Sequence, residues 1–265
     1  MYRELLYEVR DPVAIVTLNR PERLNALTGR LLSELKHAIA EAERDQRVVG
    51  IVVTGAGRGW CAGADMDVLQ GIGDAGGLGG ESYAGPDRKE WVHTHAMTIP
   101  KPVIAAINGA CAGLGFVHAL ACDIRFAAAG AKFTAAFSRR GLIAEHGSSW
   151  TLPRLVGQGV ALDIMLSGRV FLAEEAKEMG VVNRVVAPDL LMDETLAYAA
   201  DLAVNASPTS MAVMKQQIYT HPSMPIDDAL AASNRLMNES LRCTDFTEGV
   251  ASFVEKRAPN FQPLR

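Results

Sequence analysis

The chain has 265 residues and a formal net charge of −4, which, with no long basic run, excludes a nucleic-acid surface as its main role. Hydrophobic residues make up 49% and charged residues 21%, which excludes a disordered or fibrous chain and allows either one large domain with an appendage or two domains. No apolar stretch reaches the ~18–20 residues of a membrane span, and Met1–Tyr2–Arg3–Glu4 lacks a signal-peptide core, so a cytoplasmic chain without a membrane partner is expected.

Ala14–Leu18 reads as a strand, and Arg20–Pro21–Glu22 as the turn after it. Thr28 is placed to cap a helix to about Arg44, with Leu31, Leu32, Leu35, Ile39 and Ala42 on one face. The β-branched run Val49–Thr54 predicts a buried strand, which leads into the glycine-rich bend Gly59–Trp60–Cys61–Ala62–Gly63–Ala64–Asp65. Gly71 to Gly85 has almost nothing to bury and reads as a mobile loop, either a flap over a site or a surface insertion. Arg88–Thr98 reads as helix and Pro102–Ile107 as strand. A second bend follows, Asn108–Gly109–Ala110–Cys111–Ala112–Gly113–Leu114–Gly115, and opens a short helix to Ala121.

Asp123–Ala127 predicts a strand, and Ser148–Val156 a helix with Ser148 and Ser149 at its cap, where Pro153 should end the helix early or lie in an irregular turn. Ala173–Met179 reads as helix and Val181–Val186 as strand. Beyond Pro188 only helices are predicted: Asp189–Asn205, Thr209–Tyr219, Ile226–Arg242 and Asp245–Lys256. The fold class is therefore α/β, with about 200 residues of strands and helices before a helical tail. No repeat is legible in side-chain identity.

Several chemistries fail on spacing. Neither bend completes G-x-G-x-x-G, because position 60 is Trp and position 118 is His, and no Gly-Lys-Ser/Thr follows either one. The G-x-S-x-G elbow of a serine hydrolase is absent. His93 and His95 have no carboxylate pair nearby, so no metal site is expected. The four cysteines lack CxxC spacing and read as buried reduced thiols.

What remains is a pair of bends whose small residues let backbone N–H groups point into a cavity. Two such donors on one oxygen would form an oxyanion hole. Glu145, in the mostly apolar Gly141–Leu142–Ile143–Ala144–Glu145–His146–Gly147, is the acid–base candidate, or else a glutamate that merely favours the helix dipole. His146 is placed to help orient it. Asp65 and Asp123 read as backbone-locking residues.

The chain resembles the crotonase, or enoyl-CoA hydratase/isomerase, family over essentially its whole length. The likeness runs through Asn19–Arg20–Pro21–Glu22–Arg23–Leu24–Asn25–Ala26–Leu27, Cys61–Ala62–Gly63–Ala64–Asp65, Lys101–Pro102–Val103–Ile104–Ala105–Ala106–Ile107–Asn108–Gly109 and Ala121–Cys122–Asp123–Ile124–Arg125. It continues through Leu152–Pro153–Arg154–Leu155–Val156–Gly157, Ser167–Gly168–Arg169 and the C-terminal Glu248–Gly249 and Phe253–Val254–Glu255–Lys256–Arg257. The resemblance implies a spiral of β-β-α units over residues 1–200 and a helical region over 201–265 that builds a homotrimer or a dimer of trimers. It implies an acyl-CoA thioester substrate and no separate cofactor, coenzyme A arriving as part of the substrate.

By that resemblance the oxyanion donors are the amides of Ala62 and Leu114, and Glu145 is the proton-transfer group. The acyl-CoA contacts it implies are Arg23, Ala62, Gly63, Ala64, Asp65 and Leu114, with Phe253 and Lys256 reaching the coenzyme A of a neighbouring subunit. One departure stands out. The two glutamates that hold water in family hydratases fall here on Val117 and Phe137, whereas Glu145 falls where several isomerases, dehalogenases and thioester hydrolases carry an acid. Hydration, double-bond migration and thioester hydrolysis all stay open, as does a weakly catalytic acyl-CoA-binding protein.

Overall fold

The β-branched runs pair into two sheets that share one chain path. The computed structural model describes residues 2–74 and 92–264. A hairpin of β1 (Leu5–Arg10) and β2 (Val13–Leu18) leads to α1 (Gly29–Arg44), and Thr28 caps that helix by accepting from Leu31 N–H. Three strand–strand–helix units follow. They are β3 (Gly50–Gly55), β4 (Gly59–Cys61) and α2 (Met66–Asp74); β5 (Val103–Ile107), β6 (Ala110–Ala112) and α3 (Leu114–Ala121); and β7 (Ile124–Ala128), β8 (Lys132–Thr134) and α4 (Ser148–Val156).

In each unit the first strand joins a six-stranded sheet, ordered β1-β2-β3-β5-β7-β10, and the second joins a four-stranded sheet, ordered β4-β6-β8-β9. Each unit thus steps one strand along both sheets, which is a spiral. The repeat that side-chain identity hides is present in the backbone path. The core closes with α5 (Gln158–Ser167), β9 (Phe171–Leu172), α6 (Ala173–Glu178), β10 (Arg184–Val186) and α7 (Leu191–Asn205).

The central strands β2, β3, β5 and β7 of the six-stranded sheet are buried on both faces, so they are almost continuously apolar. Ala14, Val16, Ile51, Val53 and Ala105 face α1 and α3, while Val13, Ile15, Val52, Ile104 and Phe126 face α7. The remaining helices are α8 (Pro208–Thr220), α9 (Ile226–Ser240) and α10 (Thr244–Glu255). Among the described residues no helix is long and apolar enough to cross a membrane.

Five local expectations need correction. Helix α4 runs to Val156 despite Pro153, because the carbonyl that loses its intrahelical donor belongs to exposed Ser149, where water serves. Its cap is Gly147, not a serine; Ser148 donates through both N–H and Oγ to the Glu145 carbonyl, at 3.0 and 2.8 Å. The strand expected from Val181 begins only at Arg184, since Val181 and Val182 donate to the Ala176 carbonyl to finish the turn after α6. Of the helix expected over 88–98, the described part is a 3-10 turn, Val92–Met97. Residues 75–85 of the expected loop lie outside the described residues, and 71–74 belong to α2.

Asp123 locks helix α8 to the sheet. Its carboxylate accepts from Val103 N–H at 2.7 Å, Lys215 Nζ at 2.7 Å and Tyr219 Oη at 2.9 Å. Lys215 also donates to the carbonyls of Ala96 and Lys101. Removing one partner of such a largely buried pair leaves the other charge uncompensated, so Asp123→Ala should cost about 3–5 kcal/mol in urea unfolding. A loss below about 1 kcal/mol would mean that α8 is held by packing alone.

Candidate active site

Strands β4, β6 and β8 run parallel, with Cys61 opposite Cys111 and Ala112 opposite Thr134. The two glycine-rich bends leave the same ends of adjacent parallel strands, which is why they meet. Gly63 has φ +97°, and a Cβ built on it would lie 2.8 Å from the Ala112 carbonyl oxygen and 3.4 Å from Leu114 N. A Cβ on Gly115 would lie 2.3 Å from the Cys61 carbonyl oxygen. Only residues without a side chain let the start of α3 sit this close to the end of β4.

Backbone hydrogen bonding then separates the amides. Ala62 N–H donates to the Leu24 carbonyl at 2.9 Å, so the donor expected at residue 62 is already committed. Leu27 N–H donates to Gly63 O, and Asp65 N–H donates to Leu27 O, which makes Ala64 the bridge partner of Leu27. In that parallel pairing the N–H of residue 64 faces away from Leu27. Among the described residues no group accepts from Ala64 N–H, and none accepts from Leu114 N–H at the first position of α3. Both residues are half-buried. Unpaired backbone donors are rare inside proteins and common where a ligand binds.

The remaining contacts fix this framework. Asp65 is only 4% exposed; it pairs with Arg20 at 2.8 Å and accepts from Asp67 N–H, and this pairing holds its carboxyl below the usual range. Asn25, in the left-handed region and fully buried, donates to the carbonyls of Ala56 and Gly59. Burial pushes the Cys61 and Cys122 thiols up to about 12, so neither is a thiolate near neutrality.

Glu145 sits in the turn before α4, half-buried. Among the described residues its carboxylate has no hydrogen-bond or ion-pair partner, and burial raises its pKa above the ordinary glutamate value. The turn is tied to α3 through imidazoles. The His146 ring packs at a tilt on His93 with ring centroids 3.8 Å apart, and His93 Nδ1 lies 3.0 Å from Nε2 of His118, one turn after Leu114. Burial depresses all three histidines, His93 to about 2 and His118 to about 4, so they are neutral at pH 7. Among the described residues no group of three His, Cys, Asp or Glu is arranged to hold a metal ion.

Val117 and Phe137, the positions of the hydratase glutamates, are 2% and 4% exposed and belong to the main hydrophobic core. Arg23 is exposed beside the first bend, 3.6 Å from Asp67. Phe253 is 84% exposed at the end of α10, and Lys256 caps that helix with φ +55°. Neither bonds to nor stacks on either bend within this chain.

The two-sheet spiral and the paired bends define a crotonase-type α/β fold. The description "Enoyl-CoA hydratase/isomerase" matches residues 8–263, and the chain belongs to that family of enzymes. It is 36% identical over 266 residues to a 1,2-epoxyphenylacetyl-CoA isomerase of Escherichia coli strain K12, covering 98% of this chain and 99% of the relative. An enoyl-CoA hydratase structure from Bacillus anthracis superposes with a TM-score of 0.87 at 29% identity, covering 98% and 99%. The enoyl-CoA hydratase EchA12_1 of Mycobacterium marinum is 48% identical with a TM-score of 0.70, covering 83% of this chain and 99% of that one.

Proposed function

We propose that this enzyme moves protons beside the carbonyl of an acyl-CoA thioester, with double-bond migration as its reaction. The amides of Ala64 and Leu114 receive the thioester oxygen. Glu145, as the carboxylate, takes a proton from C2 of a 3-enoyl thioester, the electrons pass into a dienolate held by the two amides, and the same carboxyl returns the proton at C4. Atoms balance and no co-reactant is consumed. The observation that carries this reading is a pair of amides on converging bends that find no acceptor among the described residues, together with a half-buried carboxylate, also unpartnered among those residues, in the turn that the histidines tie to α3. Oriented donors aimed at a developing oxyanion are usually the largest single catalytic contribution.

Migration is preferred to hydration because Val117 and Phe137 are buried and apolar, so neither holds a water. Hydration is the second reading, favoured by the hydratase names of the two structural neighbours, with Glu145 as the acid.

Coenzyme A would lie along Gly63, Ala64 and Asp65 with Arg23 near its phosphates. Phe253 and Lys256 would come from a second copy in a trimer. The exposed apolar side chains of α9 and α10, Ile226, Leu230, Phe246, Val250 and Val254, support such an assembly. The test is a set of 3-enoyl- and 2-enoyl-CoA substrates, with migration, hydration and thiol release followed separately by NMR. Migration should dominate; hydration at a comparable or higher rate would replace it as the activity, and tight binding without turnover would favour a binding protein.

A further inference from the structure

His93 is not among the groups that would touch substrate, yet it joins the two halves of the site. On one side its Nδ1 meets Nε2 of His118 at 3.0 Å, and His118 stands four residues after Leu114 on the same face of α3. On the other side its ring lies on His146, 3.8 Å between centroids with 38° between planes. The turn lies close to the helical segment that carries His93: a Cβ added to Gly147 would come into ordinary contact with Thr94 Cγ2, at 3.8 Å. His146 is held at φ +48°, a region that non-glycine residues leave unless their surroundings hold them there.

We propose that His93 is a positioning residue, which fixes Glu145 relative to the Leu114 amide by holding His146 in the left-handed turn that presents Glu145. This rests on Glu145 being the proton-transfer group. The three imidazoles are neutral near pH 7, so His93 and His118 share one proton as donor and acceptor without charge repulsion. The ring contact and the hydrogen bond act in series: the first holds the turn, the second anchors it to the oxyanion helix. Small displacements of a reacting group can cost ~10²-fold in rate.

The test is a double-mutant cycle with His93→Ala and Glu145→Gln on the full-length enzyme, separating kcat from KM. His93→Ala should lower kcat about 10–100-fold with KM within about twofold. The same change should have almost no further effect in the Glu145→Gln background. His93→Phe keeps an aromatic ring but loses the His118 bond, and should retain an intermediate rate. It also serves as the reading if the alanine variant does not fold. Full activity of Glu145→Gln would overturn the proton-transfer reading itself. An inactive Glu145→Gln beside a fully active His93 variant, or equal losses from His93 changes in both backgrounds, would overturn the positioning role alone.

Discussion

Glu145→Gln should lower kcat for double-bond migration by about 10²–10⁴-fold, the usual contribution of a positioned acid–base group. KM for the acyl-CoA should stay within about threefold, because the amide is isosteric and the carboxylate has no hydrogen-bond partner among the described residues. The pH dependence gives the same group a second signature. Burial favours the neutral acid, so the carboxylate needed to take a proton forms only at a pH above the ordinary glutamate range of ~4.3. The acid limb of kcat/KM should lie there in the wild type, with activity rising as pH increases through it, and disappear from the residual activity of the variant. An unchanged limb in Glu145→Gln would assign it to another group.

The second large effect comes from deleting one backbone donor. Leu114 is the first residue of α3, where an N–H is never used inside the helix and proline is accommodated. Gly113 before it has φ +52°, and lacks the Cβ that would crowd a following proline ring. Leu114→Pro therefore removes the amide with little else, and should lower kcat by ~10²–10³-fold, as loss of an oxyanion donor does. Thermal stability should stay near that of the wild type. Leu114→Ala, which keeps the amide, serves as the control for the altered pocket wall and should stay within about tenfold of the wild type. Equal rates for the proline and alanine variants would remove residue 114 from the oxyanion hole.

Much of the fold was legible because burial on both faces leaves unmistakable apolar runs. The runs Ala14–Leu18, Val49–Thr54 and Pro102–Ile107 stood out in this way and form the strands Val13–Leu18, Gly50–Gly55 and Val103–Ile107. The short strands β4, β6, β8 and β9 were not legible. Runs of two or three residues carry no period, and β4, β6 and β8 pair because the long strands that precede them lie side by side. Helix α5 was missed for a related reason: Gly157 and Gly159 break its start, and its apolar residues do not fall on one face.

At the site, both bends and Glu145 were readable from composition, since glycines and a lone acid in apolar surroundings are local signals. Which amide is unpartnered was not. Residues 62 and 64 lie in the same bend, and only the pairing of Leu24 and Leu27 along it commits Ala62 and leaves Ala64. That pairing joins segments almost 40 positions apart. The histidine cluster was hidden for the same reason: His93, His118 and His146 have no common spacing and meet only through α3 and the turn before α4. Val117 and Phe137, by contrast, were readable as the missing acids, since a hydrocarbon side chain has no proton to transfer, and both lie buried in the core.

Exchange of the C2 protons of a saturated acyl-CoA with deuterated water, followed by NMR, isolates enolate formation from whichever overall reaction the enzyme completes. The wild type should catalyse this exchange, while Leu114→Pro and Glu145→Gln should each lose it by two orders of magnitude or more, about what either group supplies. Exchange at the wild-type rate in both variants would mean that neither the residue 114 amide nor the residue 145 carboxylate acts on the thioester.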